Sequence, residues 1–169
     1  GTPVANRDDA DMESVVGLFI NTLSVVATPS PQLTVAQWIG QVQDLNLVLR
    51  EHDHTPLYDI QSWAGLGAGA LFDSILVFEN YPMSEALAQG QDSGLTFSPI
   101  RRQEQTNYPL TLVAVSGREL TLGCSFDQAC FDAAQVRDLA GQLQHLMTQF
   151  LDAADQPLGA LEVLLPEQR

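Results

Sequence analysis

Apolar positions in this chain change their period from one stretch to the next. Behind Thr34-x-x-Gln37, residues Val35, Trp38, Ile39, Val42, Leu45 and Leu49 recur at helical spacing, which predicts a helix burying one face. The threonine and glutamine stand at capping-box spacing, where each side chain meets the other residue's backbone amide. Asp132-x-x-Gln135 repeats that signal. After it, Val136, Leu139, Leu143, Leu146, Met147 and Phe150 fall on one face of a second long helix. Thr55-Pro56 reads as an N-cap followed by proline at the first helical position, opening a short helix through Ile60 and Trp63. The cluster Gly65-Leu66-Gly67-Ala68-Gly69 ends it.

Elsewhere the period shortens. Residues 71–78 are almost wholly apolar, which predicts a central strand covered on both faces. Residues 110–116 and 120–126 flank Gly117-Arg118 and predict a hairpin, and 94–103 reads as a weaker, edge-like strand. Residues 15–23 look buried but are too short and β-branched for a helix. The polar, acidic leader 1–13 reads as loop, as does Thr28-Pro29-Ser30-Pro31, and the end from Gln156 to Pro166 reads as a tether toward another domain. Helices, then strands, then a helix, with no internal repeat, predict a mixed α/β layer fold in which helices cover a sheet.

Length and charge narrow the partners. At 169 residues the chain suits one ordinary domain or a large piece of one, and it can bury roughly 70% of its unfolded surface without a metal or disulfide. It carries 21 acidic against 7 basic residues, a formal net charge of −14. Phosphate backbones and anionic lipids repel such a chain, and Arg101-Arg102 is too small a basic pair to offset that. Neither nucleic acid nor membrane is an expected partner. Cys124 and Cys130 do not form a CxxC, and Cys124 sits in a strand pattern as a small hydrophobe. With no signal peptide and no apolar run near 18 residues, the expectation is a soluble, cytoplasmic protein.

Candidate chemistry is sparse. His52-Asp53-His54 has no cysteine or third histidine nearby to complete a metal site. His145 lies within the last helix beside its apolar face, as a packed or solvated side chain. The glycine cluster lacks the Lys-Ser/Thr of a P-loop, no Gly-x-Ser-x-Gly elbow is present, and Asp8, Asp9 and Asp11 read as solvated carboxylates of the leader. These rules reach an acidic α/β domain and stop.

Several segments in a fixed order go further. Val16-Gly17-Leu18-Phe19-Ile20-Asn21-Thr22-Leu23 resembles the "GxFxNT" motif of nonribosomal peptide synthetase condensation domains, and Gly1-Thr2-Pro3-Val4 looks like the strand end before it. His54-Thr55-Pro56-Leu57-Tyr58-Asp59-Ile60-Gln61 is similar to the next helix motif, and the run from Leu71 to Pro82 resembles the inner strand and turn. Thr106-Asn107-Tyr108-Pro109-Leu110-Thr111-Leu112 looks like the following strand, and Leu164-Leu165-Pro166-Glu167 like the exit linker toward an adenylation domain.

The resemblance implies one lobe, in part, of a two-lobed chloramphenicol acetyltransferase-like fold with a tunnel between lobes. Residues 1–155 would be the C-terminal portion of the condensation domain and 156–169 its exit linker. Such a domain is an acyltransferase: an acceptor amine attacks a donor thioester and an amide forms. Both groups arrive on phosphopantetheine arms of donor and acceptor carrier proteins, so the domain itself binds no cofactor. Its further partners would be the upstream lobe and the adjacent adenylation domain.

By the same resemblance Phe19, Asn21, Ser74, Asn80, Tyr81, Asn107 and Tyr108 would line the tunnel. Asn21 is either a tunnel-floor amide toward a thioester or amide oxygen, or a turn-forming side chain. Phe-Glu-Asn-Tyr-Pro looks most like domains taking an L-configured donor. The family's paired histidines, three residues and Asp-Gly have no match in this chain, since His52 and His54 are not adjacent and no glycine follows Asp59. No catalytic residue is therefore assigned, and the chain alone is not expected to catalyse condensation. Its sheet should lack neighbours and expose an apolar edge. Two other readings stand beside this one: a non-catalytic module docking carrier protein or adenylation domain, and a coenzyme A-dependent acyltransferase of the same superfold.

Overall fold

The computed structural model describes residues 1–5, 15–67, 69–79, 106–117 and 119–168. The expected edge strand at 94–103, the acidic leader residues, Arg101-Arg102, Asn80 and Tyr81 lie outside them.

Two small sheets form the centre. β1 (Thr2–Ala5) pairs antiparallel with β2 (Ile20–Leu23), Thr2 opposite Leu23 and Ala5 opposite Ile20. Residues 2–5 are thus strand rather than loop, as their place before the GxFxNT-like motif implies. Composition alone misread them because pairing comes from β2, not from local sequence. β3 (Ser74–Glu79) runs parallel to β4 (Leu110–Val115), and β4 pairs antiparallel with β5 (Thr121–Phe126) across the expected hairpin.

Gly1 joins the sheets. Its amino group donates to the Ser74 carbonyl at 2.8 Å, and its carbonyl accepts from Leu76 N at 2.9 Å, one rung of a parallel ladder. A Cβ at Gly1 would lie 2.3 Å from the Phe72 ring, so any larger residue must push that ring off Tyr108, on which it stacks at 5.3 Å.

Three helices complete the fold. α1 (Val35–Arg50) starts at the expected capping box: Thr34 Oγ1 accepts from Gln37 N at 3.2 Å and Gln37 Oε1 accepts from Thr34 N at 3.0 Å. α2 (Leu57–Trp63) begins one residue later than expected. Pro56 occupies its N-cap position in an extended conformation with no side-chain cap, and Thr55 does not cap it. α3 (Ala133–Asp152) opens on Asp132 as α1 does on Thr34, the carboxylate accepting from Ala134 N and Gln135 N, both at 2.8 Å. Gly65 and Gly67, at φ +69° and +57°, carry the chain out of α2 through the left-handed region that glycine tolerates.

The core is small: Leu23, Val35, Ile75, Leu110, Ala114 and Val136 are its buried apolar residues among those described. Register sets the faces. Leu76 aligns with Leu112 and Cys124, and Phe78 with Ala114 and Leu122. α3 packs on β5, leaving the β4 and β5 members of these rows buried or half-buried. It does not cover β3, where Leu76 is 49% and Phe78 62% exposed. The expected coverage of this strand on both faces therefore fails on one face, because cover is supplied by a distant helix and not by the strand's own apolarity. α1 departs similarly: of its apolar stripe only Val35 is buried, and Ile39 is exposed.

The C-terminal stretch is held rather than extended. Leu158 N donates to Leu33 O, Gly159 N to Pro31 O, Val35 N to Gln156 O and Ala36 N to Ala154 O. Two short 3-10 turns lie in it, Leu158–Ala160 and Pro166–Gln168. No helix among the described residues is long and apolar enough to cross a membrane.

Candidate functional site

A concavity lies between α1 and the β1–β2 pair, with Phe78 of β3 also lining it; its volume is about 670 Å³. From the strands come Thr2, Pro3, Val4 and Leu23. From α1 come Gln43, Asn46, Leu47 and Arg50, spaced i, i+3, i+4, i+7 on one helical face, with Asp44 and Leu49 beside them. The walls are apolar along Val4, Leu23, Leu47, Leu49 and Phe78, while one carboxylate, one guanidinium and two amides give them polar points. Arg50 sits in the last turn of α1, where the helix dipole favours a cation. No histidine, cysteine or serine among the described residues lines the groove.

Asn21 takes a clear place beside it. Its Nδ2 donates to the backbone carbonyls of Asp53 (2.8 Å) and Thr55 (2.6 Å) in the α1–α2 connection. Both amide protons are spent on these bonds. The side chain thereby fastens the segment after Leu49 and Arg50, two groove-lining residues, to β2. This also accounts for Thr55: its carbonyl is engaged by Asn21 while its hydroxyl does not cap α2.

The remaining tunnel candidates sit elsewhere. Phe19 is half-buried and folds over Gly17, where a Cβ would come within 3.1 Å of its ring. Ser74 is exposed and engages Gly1 through its carbonyl. Tyr108 is half-buried on Phe72, with its backbone N donating to Thr106 Oγ1 at 3.3 Å, and Asn107 is exposed. Ser74 and Tyr108 thus belong to the cluster around Gly1 and Phe72, and Asn21 to the α1–α2 connection. Neither set lines the groove. Gln43, Asp44, Asn46, Leu47 and Arg50 escape a search for apolar periodicity, which selects another stripe of α1 and meets the groove only at Leu49. Their signal is a second stripe, Gln43-Asn46-Leu47-Arg50, mixed in polarity.

The histidines form no site among the described residues. His54 Nδ1 lies 3.7 Å from Asp53 Oδ1, and the imidazoles of His52 and His54 are exposed. His145 Nε2 is buried without a hydrogen-bond partner among the described residues. No three His, Cys, Asp or Glu side chains converge there as metal ligands. Burial pushes the Cys124 thiol pKa up, which makes it a poorer nucleophile at neutral pH.

Known proteins match this arrangement over its whole length. The family model described as Condensation domain covers residues 1–169. The chain is 37% identical over 167 residues to a linear gramicidin synthase of Brevibacillus parabrevis, spanning 94% of this chain and 3% of that protein. Tyrocidine synthase 2 of the same organism is 36% identical over 151 residues, 86% of this chain and 4% of the relative. Surfactin synthase subunit 3 of Bacillus subtilis (strain 168) is 31% identical over 172 residues, all of this chain and 13% of the relative. This chain thus spans a small fraction of the length of each. Among solved structures, a four-domain holo nonribosomal peptide synthetase bound to AMP and glycine superposes with TM-score 0.84 over 98% of this chain and 14% of its own, at 16% identity. That structure shares the fold, a mixed sheet covered by helices. On the full-length family match and relatives above 30% identity, this chain belongs to the condensation-domain family.

Proposed function

We propose that this chain is part of the condensation domain of a nonribosomal peptide synthetase, and that the complete domain joins two carrier-bound groups through an amide. The carrying observation is the family match across residues 1–169, supported by relatives that are themselves peptide synthases. In the reaction the acceptor's amine nitrogen attacks the donor thioester carbon. The C–N bond forms, the C–S bond breaks, and the amine proton leaves to the donor arm's sulfur. The groove along α1 supplies seating for an extended acyl or pantetheine chain, because its walls alternate apolar surface with amide and charged points.

The proton-transfer groups belong to an upstream lobe with the paired-histidine motif, and this chain alone is inactive. Phe19, Ser74, Asn80, Tyr81, Asn107 and Tyr108 are assigned to the tunnel region by family position. Asn21 acts by holding the α1–α2 connection and not by touching substrate, since its two amide protons are already engaged. Donor and acceptor carrier proteins, their phosphopantetheine arms, a downstream adenylation domain and a soluble, cytoplasmic setting complete the proposal.

The test loads donor and acceptor carrier proteins with amino acids and reads dipeptidyl thioester by mass spectrometry. The parent domain should form it and this chain alone should not. Product from this chain alone would sink the assignment of proton transfer to another lobe. No product from a parent whose histidine motif is intact would leave a docking module as the reading.

A further inference from the structure

Arg50 is the one cation among the described residues that line the groove, and no described carboxylate pairs with it. Asp44, the one anion there, stands on the same helix, about 9 Å away along the axis. The amide side chains of Gln43 and Asn46 share the face with Arg50. Val4 pairs with Asn21, which holds the α1–α2 connection, so Val4 stands at the Arg50 end and the Thr2–Leu23 pair lies farther from it. The groove thus has two distinguishable ends of opposite charge.

Helical rise sets the intervals between these groups. Arg50 is about 6 Å from Asn46 along the axis, and Asn46 about 4.5 Å from Gln43. An extended phosphopantetheine chain repeats that order. Its pantoyl unit spans about 6 Å from phosphorus to the first amide, with about 5 Å more to the second amide and about 5 Å again to sulfur. The pantoyl methyl groups then fall beside Leu47, which is 63% exposed. The sulfur falls one turn before Gln43, at Gly40, where an added Cβ would meet nothing within 4 Å.

We propose that the groove seats a carrier-borne arm in one direction only, with phosphate at Arg50, amides at Asn46 and Gln43, and thioester beside Gly40. The reverse seating would set the phosphate against the Asp44 carboxylate, and like charges brought together are costly. One guanidinium matches the single negative charge of the phosphodiester that joins arm to carrier. Coenzyme A adds a diphosphate and a 3′-phosphate, for which the described lining holds no second cation. The C-terminal end of the α1 dipole repels an anion, so a neutral amide does not replace Arg50. The inference rests on the proposed reading that this groove takes such an arm.

All seven basic residues of this chain are arginines, so a lysine introduced into it is the one ε-amine in residues 1–169 and reports where a thioester comes to rest. The amine nitrogen attacks the acyl carbon, the C–N bond forms, the C–S bond breaks, and the proton passes to the released thiol. The parent protein is incubated with carrier protein bearing an acetyl-phosphopantetheine arm, and acetyl-lysine in this segment is mapped by mass spectrometry. Gly40→Lys should be acetylated about tenfold or more faster than Arg50→Lys or Arg137→Lys, the gain from holding amine and thioester together. Arg137, exposed on α3, gives the rate for random encounter. Gln43→Lys, exposed on the groove face, should behave as Gly40→Lys and serves if that variant does not fold. Adding Arg50→Gln to Gly40→Lys should raise the carrier concentration for half-maximal labelling about tenfold, the loss of a charge-assisted bond to phosphate. Equal rates at the groove and control positions would overturn the seating, and faster labelling of Arg50→Lys than of Gly40→Lys would overturn its direction. Labelling as efficient from acetyl-coenzyme A would overturn the carrier as its source. Dipeptide formation by the unsubstituted parent is measured alongside: a parent that condenses without selective labelling refutes the seating alone, and one that does not condense refutes the functional reading.

Discussion

Replacing Asn21 should loosen the wall of the groove before it affects anything else. Its amide makes hydrogen bonds to Asp53 O and Thr55 O, at 2.8 and 2.6 Å, across a separation of more than thirty residues. Each such bond contributes a net of about 0.5–1.5 kcal/mol, so Asn21→Ala should cost about 1–3 kcal/mol. The site is half-buried, and water can reach part of it, which favours the lower half of that range. Asn21→Asp is the sharper probe. It has the same shape, but an ionised carboxylate has no proton to donate. It would set a negative oxygen, in the place of Nδ2, against two carbonyl oxygens, and should be more destabilising than alanine although no volume is lost. Urea unfolding of the parent domain measures both. With a slope of about 2 kcal/mol/M, a 2 kcal/mol loss moves the midpoint by about 1 M. Amide exchange should accelerate first at residues 53–57. If alanine shifts the midpoint by less than about 0.2 M, or if aspartate is the milder change, the clamp carries no weight. A loss of turnover with unchanged stability and exchange would instead return Asn21 to the substrate.

Burial and exposure set the other expectations. Leu23 is 2% exposed, so Leu23→Ala should destabilise by about 2–5 kcal/mol in the same unfolding assay. Leu76→Gln with Phe78→Ser places polar groups on the uncovered face of β3 and should reduce self-association of the isolated chain in sedimentation at little cost in stability. Cys130 is exposed and Cys124 half-buried with its thiol pKa raised. Alkylation at pH 8 should therefore mark Cys130 first by peptide mapping, and labelling of Cys124 should still accelerate as pH climbs past the ordinary thiol range, because only the thiolate reacts. Thr34→Ala removes one half of the α1 capping box and should cost about 1 kcal/mol.

Local chemistry carried well from sequence. Both capping boxes formed as expected, because Thr34 with Gln37 and Asp132 with Gln135 meet backbone amides only three residues away. The hairpin between residues 115 and 121 formed for the same reason. The start of α2 slipped from Thr55 to Pro56 where a tertiary bond entered, the Thr55 carbonyl being taken by Asn21. The groove was the least legible feature. Its lining draws on β1, β2, α1 and β3, and no spacing rule relates residues from four separate elements.

The family and, β1 apart, the kinds of the main elements were determined by sequence alone, since helix caps, periodicity and ordered motifs act over a few residues and survive without knowledge of the rest. What each apolar residue touches was decided only by tertiary structure. Leu110 and Phe78 both lie in apolar strands on one sheet face, yet one is buried and the other 62% exposed, because α3 reaches over β5 and not to β3. The same holds for Asn21, whose partners lie in a connection more than thirty residues away, and for residues 154–168, where a composition typical of linkers is held down by the backbone of residues 31–36 and the glutamines of α3. Hydrogen bonds and burial depend on what stands opposite, and in a folded chain that is fixed by packing rather than by order.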